Sequence, residues 1–213
     1  MTPLITLTIA SKHEAKLVEL KKLLSGFGVR FVTLSELGVS EAFDEESTLE
    51  ASAVRKAREA CRDTGMLALA EESGLEVDAL GGRPGVRSAH FAHERATDAE
   101  NNAALLRAME EVEEGARRAR FRCVLALASP WTEEVIVEQG QCLGRIARAP
   151  RGGGGFGYDP LFVVEGSEER SLAELDAEAL ATTSPRVRAV AALRNRFAKL
   201  LADLVSDVDR IVL

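Results

Sequence analysis

The run from Pro3 to Ala10 is β-branched and apolar, the pattern of a short buried strand. Ser11 follows where a helix N-cap belongs, and Glu14 three residues later completes a capping-box spacing. The helix it opens carries Leu17, Leu20, Leu24 and Phe27 on one face, and Gly26 and Gly28 stop it. Val29 to Leu34 reads as a second strand. A second helix, rich in Ala, Glu and Arg, runs from Ser47 to Thr64 and closes at Gly65. Leu67 to Ala70 is a strand that ends in Glu71-Glu72-Ser73-Gly74, and Leu75 to Leu80 extends or returns it.

Gly81 to Gly85 is a turn cluster, after which a helix begins near Thr97 and ends before Gly115. Ala119, Phe121 and Cys123 alternate with Arg120 and Arg122 before the apolar run Val124 to Ala128, a strand wet at one end and buried at the other. Val135 to Ile146 reads as another strand, broken at Gly140 and Gly144. Leu161 to Val164 is a strand, and Ser171 to Leu175 a capped helical turn. The last helix starts near Ser184 and puts Val190, Leu193, Phe197, Leu200 and Leu204 on one stripe. Strand, helix and strand in succession predict an α/β unit with a mixed sheet, and no linker marks a domain boundary within the 213 residues.

Composition narrows the class. Hydrophobic residues are 46% and charged residues 29%, which excludes disordered and low-complexity chains. The net charge of −7 argues against wrapping nucleic acid or lying on an anionic membrane, both of which call for basic surfaces. No apolar run reaches the roughly 18 residues of a membrane span, and the first residues do not read as a signal peptide. Cys61, Cys123 and Cys142 form no C-x-x-C pattern. A reduced, cytoplasmic protein is expected.

Four segments carry candidate chemistry. Ser11, Lys12, His13 and Lys16 surround the first helix N-terminus, either a phosphate seat or an ordinary solvated first turn. Glu71 and Glu72 are adjacent carboxylates at a strand end, able to hold a hard cation or share a proton. Asp44-Glu45-Glu46 is a second acidic cluster, which by itself reads as a surface acidic run. Gly152, Gly154 and Gly157 fit G-x-G-x-x-G, but Pro150 and Pro160 flank them and a strand follows, so the dinucleotide reading fails and a flexible loop remains. His90 and His93 have metal-ligand spacing without a third ligand and read as surface histidines.

Taken in order, these segments resemble the inosine triphosphate pyrophosphatase family, which hydrolyses non-standard purine nucleoside triphosphates. Leu7 to Lys16 is similar to a strand ending in the phosphate loop T-G-N-x-x-K. Ala70 to Ala89 is similar to D-D-S-G-L-x-V-D-A-L-G-G-x-P-G-x-x-S-A with its flank, and Phe156 to Asp159 is F-G-Y-D. Phe121 to Leu127, Ala173-Glu174-Leu175 and Ser184-Pro185-Arg186 complete the series.

The resemblance implies an elongated, two-lobed mixed-sheet α/β fold with the nucleotide between the lobes, usually a homodimer. It implies Ser11 and Lys16 on the phosphates, Ser73 on the substrate, and Lys56 on the triphosphate in a catalytic role. Glu72 is implied as metal ligand and proton acceptor, with Asp44 as a second ligand of Mg²⁺. Phe156, Gly157, Tyr158 and Asp159 are implied at the base, together with Arg186. The chain also departs from the pattern. Glu72 replaces an aspartate, and Lys12 and His13 replace the glycine and asparagine of the loop. Leu180 and Pro185 replace a lysine and a histidine that donate to the purine, and neither side chain can donate. Hydrolysis of inosine- or xanthosine-type triphosphates is therefore expected. The alternatives are the same chemistry on another or modified nucleotide, or binding without turnover.

Overall fold

The computed structural model describes residues 5–11, 13–40 and 46–211. Strands β1 (Thr6–Ala10), β2 (Arg30–Thr33), β3 (Leu67–Val77), β4 (Arg118–Ala128), β5 (Val135–Ile146) and β6 (Phe162–Val164) form one sheet in the order β2-β1-β3-β4-β5-β6. The first three are parallel, because helices α1 (Glu14–Leu24) and α2 (Leu49–Thr64) carry the chain back between them. From β3 onward the pairing is antiparallel, so the sheet is mixed, as the hydrophobic pattern predicts.

Alternation along the strands assigns the two faces. Leu67 and Leu69 of β3, with Leu7 and Ile9 of β1, pack under Leu20 and Leu24 of α1 and Val190, Leu193 and Phe197 of α5 (Pro185–Ile211). On the other face Ala68 and Ala70 meet Ala53, Ala57 and Ala60 of α2, small side chains that let helix and sheet approach closely. The outer halves of β3 to β5 carry a third cluster, in which Leu75, Val77, Tyr158 and Phe162 pack with Leu105 and Met109. Leu105 belongs to α3 (Asp98–Ala108) and Met109 is its C-cap. The described residues contain no helix long and apolar enough to cross a membrane.

Several expectations are corrected. The first helix is capped by His13, not Ser11, and without a side-chain cap bond; Ser11 Oγ instead accepts from the His13 N–H at 3.2 Å. Glu71 to Val77 continues β3 without a return, because β4 pairs with it along its whole length. The helix near Thr97, by contrast, ends before Gly115 as its pattern predicts, at Ala108. Helix α4 (Ala177–Thr183) is absent from the sequence reading; its stripe is too short for periodicity to reveal. Finally, β5 is unbroken. A Cβ at Gly140 would strike the Pro185 carbonyl and Ala189 N of α5, and one at Gly144 would strike Val163 and the Phe162 ring. Both glycines mark close approach within a strand rather than a break.

Candidate active site

The site begins where β1 stops. Ala10 pairs with Ala70, and β3 runs on beyond it with the β1 side vacated by the turn into α1. This is the crevice outside the carboxyl ends of parallel strands, the usual seat of a ligand in such sheets. Period-two alternation then sends Glu71 and Ser73 toward α1 and α5, and Glu72 toward α2.

Each face acquires a lysine. Lys16 of α1 donates from Nζ to Ser73 Oγ at 2.9 Å and lies 3.3 Å from Glu71 Oε1. Lys56 of α2 pairs with Glu72 Oε1 through a short hydrogen bond. Four of the residues implied by the resemblance are thus brought together. Ser11 lies in the turn between β1 and α1, beside the same crevice. His13, also in that turn, has its pKa lowered by burial and by Lys16, against the pull of Glu71 and Glu72. Lys12 and Asp44 lie outside the described residues.

The sequence presents Glu71 only as half of a carboxylate pair, and the fold supplies its surroundings. Its side chain is fully buried. Arg186 at the start of α5 grips it with both ends of a fork, Nε to Oε2 at 2.6 Å and Nη2 to Oε1 at 2.9 Å. The third nitrogen, Nη1, bonds Glu19 of α1. Burial raises the Glu71 carboxyl pKa, but Lys16 and the Arg186 hydrogen bonds outweigh it and hold the group below its ordinary 4.5. Burial likewise disfavours the Arg186 cation, while Glu71 and Glu19 overcome this and raise its pKa. The strand period and the Lys16-to-Glu19 spacing were the available signals for this cluster.

The second half of the site is the loop Gly152–Asp159. Phe156 is 79% exposed, an aromatic ring with its face open to stack. Its N–H donates to Asp159 Oδ2 at 3.0 Å, closing the turn. Gly155 takes a φ of +74°, and a Cβ there would run into Asp159, so only glycine suits this position. Burial raises the Asp159 pKa, the Phe156 N–H lowers it, and Asp98 raises it again. Tyr158 is buried, and burial together with Asp98 raises its hydroxyl pKa.

Ser88, in a segment noted only as motif, links the two halves. Its Oγ accepts from the Leu75 N–H at 2.9 Å, and its carbonyl accepts from the Tyr158 hydroxyl at 2.8 Å. The backbone of β3 approaches this turn so closely that a Cβ on Gly74 would overlap the Gly85 carbonyl. Leu180 and Pro185 lie half-buried in α4 and at the first position of α5, next to Arg186.

Cationic side chains on either side of a carboxylate-bearing strand, with an open aromatic ring on a loop that Tyr158 and Ser88 tie to that strand, suit a ligand with an anionic end and a flat end. Comparison with known proteins gives this arrangement a family. A dITP/XTP pyrophosphatase of Desulforamulus reducens is 44% identical over 185 residues, spanning 86% of this chain and 91% of that protein. One of Escherichia coli O157:H7 is 43% identical over 192 residues, spanning 88% and 97%. Among solved structures, a HAM1 protein from Coxiella burnetii superposes with a TM-score of 0.84 at 36% identity, covering 94% of this chain and all of that one. The nucleoside-triphosphatase, or dITP/XTP pyrophosphatase, of Mycobacterium abscessus gives 0.80 at 40% identity, covering 89% and 98%. The model of the Ham1 family matches residues 7–196, and the chain belongs to that family.

Proposed function

We propose that this chain hydrolyses non-standard purine nucleoside triphosphates of the inosine and xanthosine type to the monophosphate and pyrophosphate. The observation that carries the reading is the pairing of Lys16 with Ser73 and Lys56 with Glu72 at one strand end. The relatives named dITP/XTP pyrophosphatase support the substrate class.

In this reading Ser11, Lys16, Lys56 and Ser73 bind the phosphate oxygens, and Phe156 stacks on the base with Gly157, Tyr158 and Asp159 shaping its edge. Glu72 accepts a proton from water as the water oxygen bonds to the α-phosphorus. The bond from that phosphorus to the bridging oxygen breaks, and pyrophosphate leaves with its charge matched by the lysines. Arg186 keeps two N–H groups outside its three carboxylate bonds, and these are its donors to the base.

A divalent cation, Mg²⁺ in this proposal, fits the donor set. Glu72 offers a partly exposed carboxylate, a hard oxygen ligand. The described cluster sets Lys16, Lys56 and Arg186 against Glu71, Glu72 and Glu19, three cations against three carboxylates, so a triphosphate calls for further positive charge. Glu72 and Asp44 would hold the ion, which when bound offsets phosphate charge and makes water easier to ionise. A homodimer working in the cytoplasm, beside the nucleotide pool it would cleanse, completes the reading.

The test is kcat/KM for a panel of inosine, xanthosine, adenosine and guanosine triphosphates with Mg²⁺. Inosine and xanthosine triphosphates are expected to lead; equal rates across the panel would contradict the substrate class. Because Leu180 and Pro185 supply no donor to a 6-keto oxygen, restoring donors with Leu180→Lys and Pro185→His should widen the inosine-to-adenosine ratio. A neutral donor corresponds to about threefold to tenfold, and the charged lysine donor to more than that. An unchanged ratio in a variant that melts normally would mean other groups read the base.

A further inference from the structure

Helix α3 has entered the site so far only through the charge of Asp98, yet it grips the exposed aromatic loop at one residue. The Gly157 N–H donates to Asp98 Oδ2 at 2.7 Å, and Asn102 Nδ2 donates to the Gly157 carbonyl at 2.8 Å. Asp98 and Asn102 are four residues apart, one above the other on a single helix face. The other end of the Asn102 amide, Oδ1, is buried with no hydrogen-bond partner among the described residues, so the Gly157 carbonyl holds this side chain in place.

The helix that carries the pair is itself fixed. Thr97 and Glu100 form a full capping box at its start. Buried Asn101 accepts from the Ala92 N–H at 2.9 Å and donates to the Ala89 carbonyl at 3.0 Å, tying α3 to the segment that holds Ser88. Leu105 sits in the third core cluster. On the loop side, the Phe156 ring is 79% exposed, so packing does little to set its direction. What sets it is the backbone on either side, and Gly157 is the next residue.

We propose that Asp98 and Asn102 are positioning residues for base recognition, clamping the two peptide groups on either side of the Gly157 Cα and thereby aiming the Phe156 ring. The proposal rests on the reading of Phe156 to Asp159 as the base-binding loop. It predicts that loosening the clamp weakens contacts to the base and spares those to the phosphates.

The experiment uses the full chain with Asp98→Ala, Asn102→Ala, the double variant, and Asp98→Asn, which keeps an acceptor. Three quantities are read: amide hydrogen exchange at Gly157, KM and kcat for inosine triphosphate, and the inhibition constant of inorganic triphosphate, which has no base. Loss of one hydrogen bond is expected to raise KM about fivefold, and loss of both about twenty-five-fold if the two act independently. Gly157 exchange should accelerate in Asp98→Ala and the double variant. The kcat and the inorganic triphosphate constant should stay within about twofold of the unaltered chain, and Asp98→Asn should behave nearly as the native protein.

Unchanged Gly157 exchange in Asp98→Ala would overturn the clamp. Faster exchange with unchanged KM would overturn its positioning role. A parallel rise in KM and the inorganic triphosphate constant would mean general damage, and would also overturn it. Should the unaltered chain turn over no triphosphate, the pyrophosphatase reading fails. Exchange at Gly157 and the Kd of inosine triphosphate then still decide the clamp.

Discussion

Glu72→Gln is expected to lose hydrolysis of inosine triphosphate by about 10²–10⁴-fold, the range for removing a positioned proton acceptor. Glutamine keeps the size of the side chain but not its charge, so it can neither accept the proton of the attacking water nor offer a carboxylate to a cation. Glu72 stands on the α2 face of β3 and bonds Lys56, and the neutral amide still leaves an oxygen for that lysine to meet. Melting temperature, and nucleotide binding measured without Mg²⁺, should therefore change little. Steady-state kinetics and a binding isotherm on one preparation separate the two effects. Turnover within a few-fold of the native chain would remove Glu72 from the chemistry and leave it as the structural partner of Lys56.

The second large effect is on stability. Arg186→Ala is expected to cost about 3–5 kcal/mol, because it leaves the Glu71 carboxylate buried without its two-point hydrogen-bond partner. Adding Glu71→Gln to it should recover part of that loss, since a neutral amide is far cheaper to bury than a charge. The pH dependence gives an independent reading. Glu71 has a folded pKa below its ordinary 4.5, so its contribution is complete above 4.5 and is lost as pH falls through the folded value. Urea unfolding of the native chain between pH 6 and acid should show this loss, and Arg186→Ala should flatten it. Equal stability of variant and native chain would show that Lys16 alone satisfies the buried carboxylate.

Much of this arrangement could be read from residue order. The 3.6-residue stripe in α1, the period-two alternation in β4 and the Gly-rich loop all give structure where the pattern places it. What a pattern does not carry is which side chains come up to a charged residue when a strand runs past its neighbour. Glu71 and Glu72 read as an equivalent pair, yet one is buried under Arg186 and the other meets Lys56 from the opposite side. The period of β3 separates them, Glu71 on the face of Leu67 and Leu69 and Glu72 on that of Ala68 and Ala70, but which partner waits on each face follows only from how α1, α2 and α5 pack. The glycines of β5 misled for a related reason: close packing by α5 and Phe162 is a tertiary fact, and locally a glycine there looks like a break. Asp98 and Asn102 lacked any motif, although their helical spacing could have suggested a paired contact. Asp44 falls outside the described residues, so its role rests on the resemblance alone.

The bond that is broken defines the reaction. Inosine triphosphate incubated with the chain and Mg²⁺, its products followed by phosphorus NMR, tests this directly. Inosine monophosphate and pyrophosphate should appear in equal amounts from the first time point, and the signal should vanish in Glu72→Gln. Inosine diphosphate with orthophosphate, or an unchanged triphosphate spectrum, would contradict it.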